Sequence, residues 1–170
     1  MQRIAEFERV SFTQFQTDAV RCGVAPAQDA FLALYNQIKL PERATAQSAG
    51  YDFFAPHAFA LAPREGITIP TGIRAKITPG WWLAILPRSG QGFRYRIQLD
   101  NTVGVIDADY YNADNEGHIL IKLTSDCHTD TRLKLTAGQG FAQGIFLSHG
   151  ITESDTADLK RTGGFGSTGV

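Results

Sequence analysis

From residue 50 onward the hydrophobic pattern along the chain is that of β-structure. Short apolar runs at residues 66–70, 73–77, 81–86, 97–99, 118–123 and 141–147 are separated by turn residues such as Pro79-Gly80 and Ala137-Gly138. Short strands at this spacing predict a jelly roll or a barrel. Trp81 and Trp82 are neighbours in one such run, so strand alternation sends one ring inward and the other outward. The first forty residues differ. Residues 4–12 predict a strand. Thr13, followed three places later by Gln16, fits a capping box and predicts a short helix through Ala19 and Val20. A second helix is predicted from Pro26, a good first-turn residue, to Leu40, where Pro41 stops it. Phe31, Leu34, Tyr35 and Ile38 recur at helical spacing, which gives that helix an apolar face for packing against the rest of the protein. No internal repeat is present.

The end of the chain changes character again. RTGGFGSTGV, from Arg161 to Val170, contains four glycines and one large apolar side chain, Phe165. Such a segment cannot build a core. Ordering a backbone costs roughly 1–2 kcal/mol per residue, so residues 161–170 are expected to form a flexible arm unless a ligand or a partner fixes them. The organisation expected is one β domain over residues 1–160, with a partly helical extension over 1–40, followed by this arm.

Composition narrows the function. Sixteen basic and seventeen acidic residues leave the chain near neutral, whereas nucleic-acid binders usually carry a basic excess. A compact basic pocket for one small anion is compatible with that balance. The N-terminus has no secretory or transit pattern, and no apolar run has the length of a membrane span. A cytoplasmic protein is the expectation. Cys22 and Cys127 lie far apart and neither belongs to a CxxC, so they read as reduced, buried thiols and not as a zinc site or a disulfide framework.

Five short segments carry the candidate chemistry: AGYD ending at Asp52, PRSG ending at Gly90, NTVGVIDADY from Asn101 to Tyr110, GQGFAQ from Gly138 to Gln143, and the glycine-rich tail. In this order the set resembles the five motifs of the homotrimeric dUTPase family. AGYD and PRSG are weak signals alone, GVIDADY is moderate, and GGFGSTG at the C-terminus is strong. The resemblance implies an all-β, dUTPase-like jelly roll or distorted β-barrel with a short helical N-terminal extension. It also implies a homotrimer that hydrolyses dUTP to dUMP and pyrophosphate with Mg²⁺, the metal being held mainly by the three phosphates and water.

Each segment has a chemical reading. The Arg88 guanidinium, the Ser89 hydroxyl and the backbone N–H groups through Gly90 can together grip phosphate oxygens, and the resemblance implies that they hold the triphosphate. A turn with a surface arginine is the alternative. Residues 101–110 read as a hairpin with an acid beyond it. Backbone groups around Asn101 and Gly104 can match the uracil edge, and cytosine, which reverses two of its three polar groups, would leave buried partners unpaired. Tyr110 corresponds to the family tyrosine beneath the deoxyribose, where a 2′-hydroxyl would collide; an ordinary core aromatic is the alternative. Asp107 is the candidate general base for an attacking water, with Asp109 as its rival. Gln143 can orient the water or a phosphate oxygen. The resemblance implies that Asp52 supports the site from behind. In the tail, Phe165 can stack on the base, Arg161 can meet the γ-phosphate, and Gly166, Ser167 and Thr168 can clamp the phosphate chain. The resemblance implies that this arm crosses to a neighbouring subunit.

The sequence departs from the family pattern after the base. Tyr110 is followed by YNADNEG instead of an arginine and a glycine, so the loop is longer and lacks that arginine. Two other functions remain compatible with the residues. A dCTP deaminase of the same fold would need an acid at ring C4, for which Glu116 is the nearby candidate. A regulatory binding module would use the nucleotide-controlled tail as its switch and would capture a protein partner in a nucleotide-dependent way.

Overall fold

A computed structural model describes residues 2–24, 26, 30–159 and 163. Its strands are β1 (Ala5–Arg9), β2 (Tyr51–Phe54), β3 (Phe59–Leu61), β4 (Gly66–Pro70), β5 (Ile73–Ile77), β6 (Trp81–Pro87), β7 (Ile97–Leu99), β8 (Gly104–Ile106), β9 (Leu120–Ser125), β10 (Leu133–Leu135) and β11 (Gly140–Ser148). The helices are α1 (Phe12–Arg21), α2 (Ala30–Asn36) and α3 (Ser89–Tyr95), and a 3-10 turn spans Ala108–Asn112. Two larger sheets dominate, one in the order β2-β11-β6-β8 and one in the order β4-β9-β7. The pairs β1-β5 and β10-β3 complete the strand pairing. Every pairing between these strands is antiparallel. The result is the jelly-roll-like, mostly β architecture that the run lengths predict.

Alternation builds the core. In β6, Leu83 and Ile85 point inward and meet Ile106 of β8 and Phe53 of β2. Ile69, Leu99, Ile121 and Leu123 of the three-stranded sheet are buried in the same core. Burying each such side chain contributes about 1.5–3 kcal/mol. Trp81 packs against this core, as alternation requires of one tryptophan of the pair, and Trp82 occupies the opposite face of the strand. The outer face of the four-stranded sheet is also apolar. Trp82 faces Leu147, Ala84 lies between Ile145 and Val105, and Leu86 faces Gln143. Val105 and Leu147 on that face are exposed.

The N-terminal segment differs from its sequence-based description in three ways. The strand is shorter than residues 4–12 and pairs along β5. The cap of α1 is Ser11, whose hydroxyl accepts from the Gln14 N–H, so Thr13 is already inside the helix. The second helix ends at Asn36 and does not reach Leu40. Its apolar face nevertheless packs as its periodicity requires, with Phe31 and Ile38 buried and Leu34 and Tyr35 against the core. Among the described residues no helix is long and apolar enough to cross a membrane.

A buried polar pair ties α1 to the β body. His118 is fully buried, and its Nε2 accepts the Gly72 N–H at 2.7 Å. Nε2 therefore carries a lone pair, and Nδ1 carries the hydrogen donated to Asp18 Oδ2 at 2.7 Å. Gln14 Nε2 donates to the same carboxylate oxygen. Burial pushes the Asp18 carboxyl up, but the hydrogen bonds from His118 and Gln14 outweigh it and the pKa lies below the usual value. A depressed folded pKa contributes stability that is fully present above the ordinary value of 3.8 and is lost as pH falls through the folded one. Asp18→Ala should cost about 2–4 kcal/mol, because it leaves the His118 donor buried and unsatisfied. Asp18→Asn keeps an acceptor and cannot titrate, so its stability should decline less steeply below pH 4 than that of the wild type. Urea denaturation across pH 3–7 measures both effects. Parallel pH profiles for wild type and Asp18→Asn would contradict the assignment.

Candidate active site

Three segments far apart in sequence converge on one cleft of about 750 Å³. It is lined by Asp52 of β2, Arg88, Ser89 and Gly90 at the β6–α3 junction, and Gln143 of β11. The register explains the meeting. β11 lies between β2 and β6, with Gln143 opposite Asp52 on one side and Leu86 on the other. Arg88 Nε lies 3.2 Å from Asp52 Oδ1, and its Nη1 donates to the Gly140 carbonyl at 3.2 Å. Asp52 thus holds Arg88 from behind while the arginine side chain stays about 41% exposed, accessible to an anion. Gln143 Nε2 donates to the Pro87 carbonyl at 3.1 Å. A Cβ on Gly50 would sit 2.7 Å from Gln143 Oε1, so a glycine there leaves room for this side chain. Nothing lies within 4 Å of a Cβ built on Gly90, whose place in α3 is therefore not dictated by crowding within the chain.

Gln91 and Arg94 of α3 also line this cleft and were not among the sequence candidates. Gln91 Nε2 donates to the Gly140 carbonyl at 2.9 Å, while its Oε1 is buried without a hydrogen-bond partner. Arg94, like Lys134, adds a cation to the lining. The sequence does not announce α3, because two of its seven residues are glycine.

The segment 101–110 corrects the hairpin reading. β7 pairs with β9 of the three-stranded sheet, and β8 pairs with β6 of the four-stranded one. The chain turns at residues 100–103 and crosses from one sheet to the other. Val103 N donates to the Asn101 carbonyl at 2.7 Å, and Thr102 adopts φ 66°. Beside the turn lies a mainly apolar cavity of about 310 Å³, lined by Asn101, Gly104, Ile85, Leu99 and Ile106 among others. At its margin Asp100 pairs with Lys122 at 2.6 Å, and the contacts from Lys122 and Thr124 hold the Asp100 carboxyl below its usual pKa.

Asp107 follows β8 and starts the 3-10 turn in an extended conformation (φ −75°, ψ 158°), and its side chain does not cap that turn. It is exposed in the single chain, so the apolar residues that precede it do not screen it from water. Asp109 is exposed as well. Tyr110 is buried, with its hydroxyl donating to the His118 carbonyl at 2.8 Å and accepting from Asn115 Nδ2 at 2.8 Å. Glu116 accepts from Ser11 N at 2.7 Å and Ser11 Oγ at 2.6 Å. Burial pushes its carboxyl up, and these bonds outweigh that and lower it overall. Glu116 is occupied in anchoring α1, which removes the candidate acid of a deaminase.

The cleft and the cavity are separate in one chain. Leu83 pairs with Ile106, so Asp107 lies level with Trp82, six residues from Arg88 along β6. At about 3.3 Å per residue that is about 20 Å, more than a triphosphate spans. The residues Arg161, Phe165, Gly166, Ser167 and Thr168 lie outside the described residues.

Comparison with known proteins finds dUTPases. The family model described as dUTPase matches residues 36–169. The deoxyuridine 5'-triphosphate nucleotidohydrolase of Lactococcus lactis is 41% identical over 136 residues, covering 78% of this chain and 89% of that protein. The crystal structure of dUTPase from Streptococcus mutans superposes with a TM-score of 0.61 at 34% identity, covering 70% of this chain and 91% of that one. A mutant dUTPase from phage phi11 of S. aureus superposes with a TM-score of 0.63 at 17% identity, over 92% of this chain and 98% of that one; that structure describes the coordination of a structural Mg(II) ion.

Proposed function

The chain belongs to the dUTPase family, and from that premise we propose that it hydrolyses dUTP to dUMP and pyrophosphate by water attack at the α-phosphorus. The observation that carries this reading is the cleft in which Arg88, backed by Asp52, stands with Ser89, Gly90 and Gln143. Charge-assisted hydrogen bonds from a planar guanidinium suit phosphate oxygens. Asn101 and Gly104, beside the apolar cavity, read the uracil edge, and Tyr110 lies beneath the sugar. Asp107 takes a proton from water as its oxygen attacks phosphorus. The bond to the β-bridging oxygen breaks, and pyrophosphate leaves with that electron pair. Gln143 orients the water or a phosphate oxygen.

Mg²⁺ held by the phosphates of the nucleotide fits the donor chemistry of this site. Asp52 is engaged with Arg88, and among the described residues no group of three or more His, Cys, Asp or Glu side chains could hold a metal ion. Mg²⁺ usually keeps waters and substrate phosphates as ligands; bound with the triphosphate, it would neutralise charge on the phosphate oxygens.

The site is shared between subunits of a homotrimer. Two observations support this: the roughly 20 Å that six strand residues put between Asp107 and Arg88, and the apolar outer face of Trp82, Leu86, Val105, Ile145 and Leu147, which another subunit can cover. The neighbour also supplies the screening that Asp107 lacks in its own chain. Residues 1–160 form the domain, and the arm from residue 161 closes over the nucleotide of a neighbouring subunit, with Phe165 on the base and Arg161, Gly166, Ser167 and Thr168 on the phosphates. The enzyme works in the cytoplasm, where Cys22 and Cys127 stay free.

Pyrophosphate release from a panel of nucleotides tests this reading. dUTP should be preferred over dCTP, dTTP and UTP by about a hundredfold or more in kcat/KM. In ¹⁸O-labelled water the label should enter dUMP and not pyrophosphate. Ammonia release from dCTP, or comparable kcat/KM for dCTP and dUTP, would contradict the reading.

A further inference from the structure

We propose that Asn115 is a positioning residue for sugar selection, and that the loop 111–118, anchored on the N-terminal segment, is the brace through which it acts. The proposal rests on the reading above in which Tyr110 lies beneath the deoxyribose.

The brace is built from contacts that do not follow from the family motifs. The Tyr110 hydroxyl is held from two sides, by the His118 carbonyl at 2.8 Å and by Asn115 Nδ2 at 2.8 Å. Asn115 Nδ2 also lies 3.2 Å from that same carbonyl, closing a small triangle of hydrogen bonds. Both holders are fixed in turn. The His118 ring is locked between Asp18 of α1 and the Gly72 N–H. Asn115 is followed by Glu116 and Gly117, both in the left-handed region at φ 57° and 69°. For a glutamate that conformation is unfavourable, and two hydrogen bonds from Ser11 hold it. At Gly117 a Cβ would stand 2.7 Å from the Tyr110 carbonyl oxygen, so the loop closes directly on the backbone of the residue it braces. At the other end of the loop, the Tyr111 hydroxyl donates to Glu8 Oε2 at 2.8 Å, and Arg74 lies over its ring.

This arrangement has a consequence for selectivity. Rejecting a ribonucleotide means rejecting one extra oxygen, and a ring that can yield by a few tenths of an ångström accommodates it. Steric discrimination therefore needs rigidity as well as position. The hydroxyl is the far end of the tyrosine lever, so pinning it limits ring motion most. Here the pin is supplied by the lengthened loop, and the loop by Ser11 and Asp18. The N-terminal extension is thus coupled to the choice of sugar.

The test compares kcat/KM for dUTP and UTP in wild type, Asn115→Ala, Asn115→Asp, Tyr110→Phe and the Asn115→Ala/Tyr110→Phe double variant, with a thermal melt of each. The dUTP/UTP ratio should fall about tenfold in Asn115→Ala, which removes one of the two hydrogen bonds on the Tyr110 hydroxyl, and at least as far in Tyr110→Phe, which removes both. The double variant should fall no further than Tyr110→Phe, because the bond lost in Asn115→Ala is already absent there. Asn115→Asp keeps the shape and loses the donor, and should behave as Asn115→Ala. A lowered melting temperature with an unchanged ratio would make Asn115 structural only and overturn the proposal. Tyr110→Leu separates the two levels of the argument. If it collapses the ratio while Asn115→Ala does not, the brace fails and the sugar reading stands. If Tyr110→Leu also leaves the ratio unchanged while dUTP is still hydrolysed, the sugar reading itself fails.

Discussion

Asp107→Asn should lower kcat for dUTP by about a thousandfold while leaving affinity for a non-hydrolysable dUTP analogue within about twofold. General base catalysis by a positioned carboxylate contributes typically 10²–10⁴-fold, and an amide of the same shape cannot take the proton. The geometry favours Asp107 over Asp109. Asp107 stands at the end of β8, next to the cavity assigned to the base, in extended backbone that continues the strand. Asp109 lies within the first turn of the 3-10 segment, where a carboxylate is favourable on electrostatic grounds alone. Asp109→Asn should therefore change kcat by less than about tenfold. Single-turnover kinetics with titration calorimetry separates chemistry from binding. Near-normal turnover in Asp107→Asn would remove it as the base.

Arg88→Ala should reduce kcat/KM by about a hundredfold, the amount expected when a charge-assisted contact to phosphate is lost. The same substitution also leaves Asp52 and the Gly140 carbonyl without their guanidinium partner. Arg88→Lys should not restore activity. One ammonium cannot bridge Asp52 and Gly140 and still present a planar fork to the ligand. Asp52→Asn should fall between wild type and Arg88→Ala, because it loosens the arginine without removing it. Michaelis kinetics, with circular dichroism to confirm folding, reads all three. Wild-type kcat/KM in Arg88→Ala would exclude this cleft as the phosphate site.

Much of the fold is legible in the chain where turn residues bracket an apolar run. Gly66–Pro70, Ile73–Ile77 and Ile97–Leu99 form strands over the residues their pattern marks. Legibility fails where the deciding partner is distant. Ser11 and Thr13 are equally good caps locally, and Ser11 is also held by Glu116, 105 positions away. The apolar period of α2 runs on through Ile38, yet regular helix ends at Asn36 and Ile38 is buried beyond it. The run from 118 begins its strand at Leu120, because His118 is committed to Asp18 and Gly72. The candidate site divides in the same way. The order of the five segments is visible in the sequence, and so are the residue types that suit phosphate and base. The crossing of residues 100–103 between two sheets is not, since it depends on which strands β7 and β8 find as neighbours. Nor is the distance along β6 between Asp107 and Arg88, which only the register reveals.

That distance is the ground for the proposed shared site, and co-assembly of two inactive variants tests it most directly. Asp107→Asn and Arg88→Ala chains would be refolded separately and then together in equal amounts. Each alone should be nearly inactive. In a cyclic trimer with one site per interface, random co-assembly should restore about a quarter of the wild-type rate, because mixed trimers contain one site with Asp107 from one chain and Arg88 from the next. Recovery near that level, with particles of trimer mass by light scattering, is the predicted result. No recovery from verified mixed oligomers, or a fully active wild-type monomer, would contradict it.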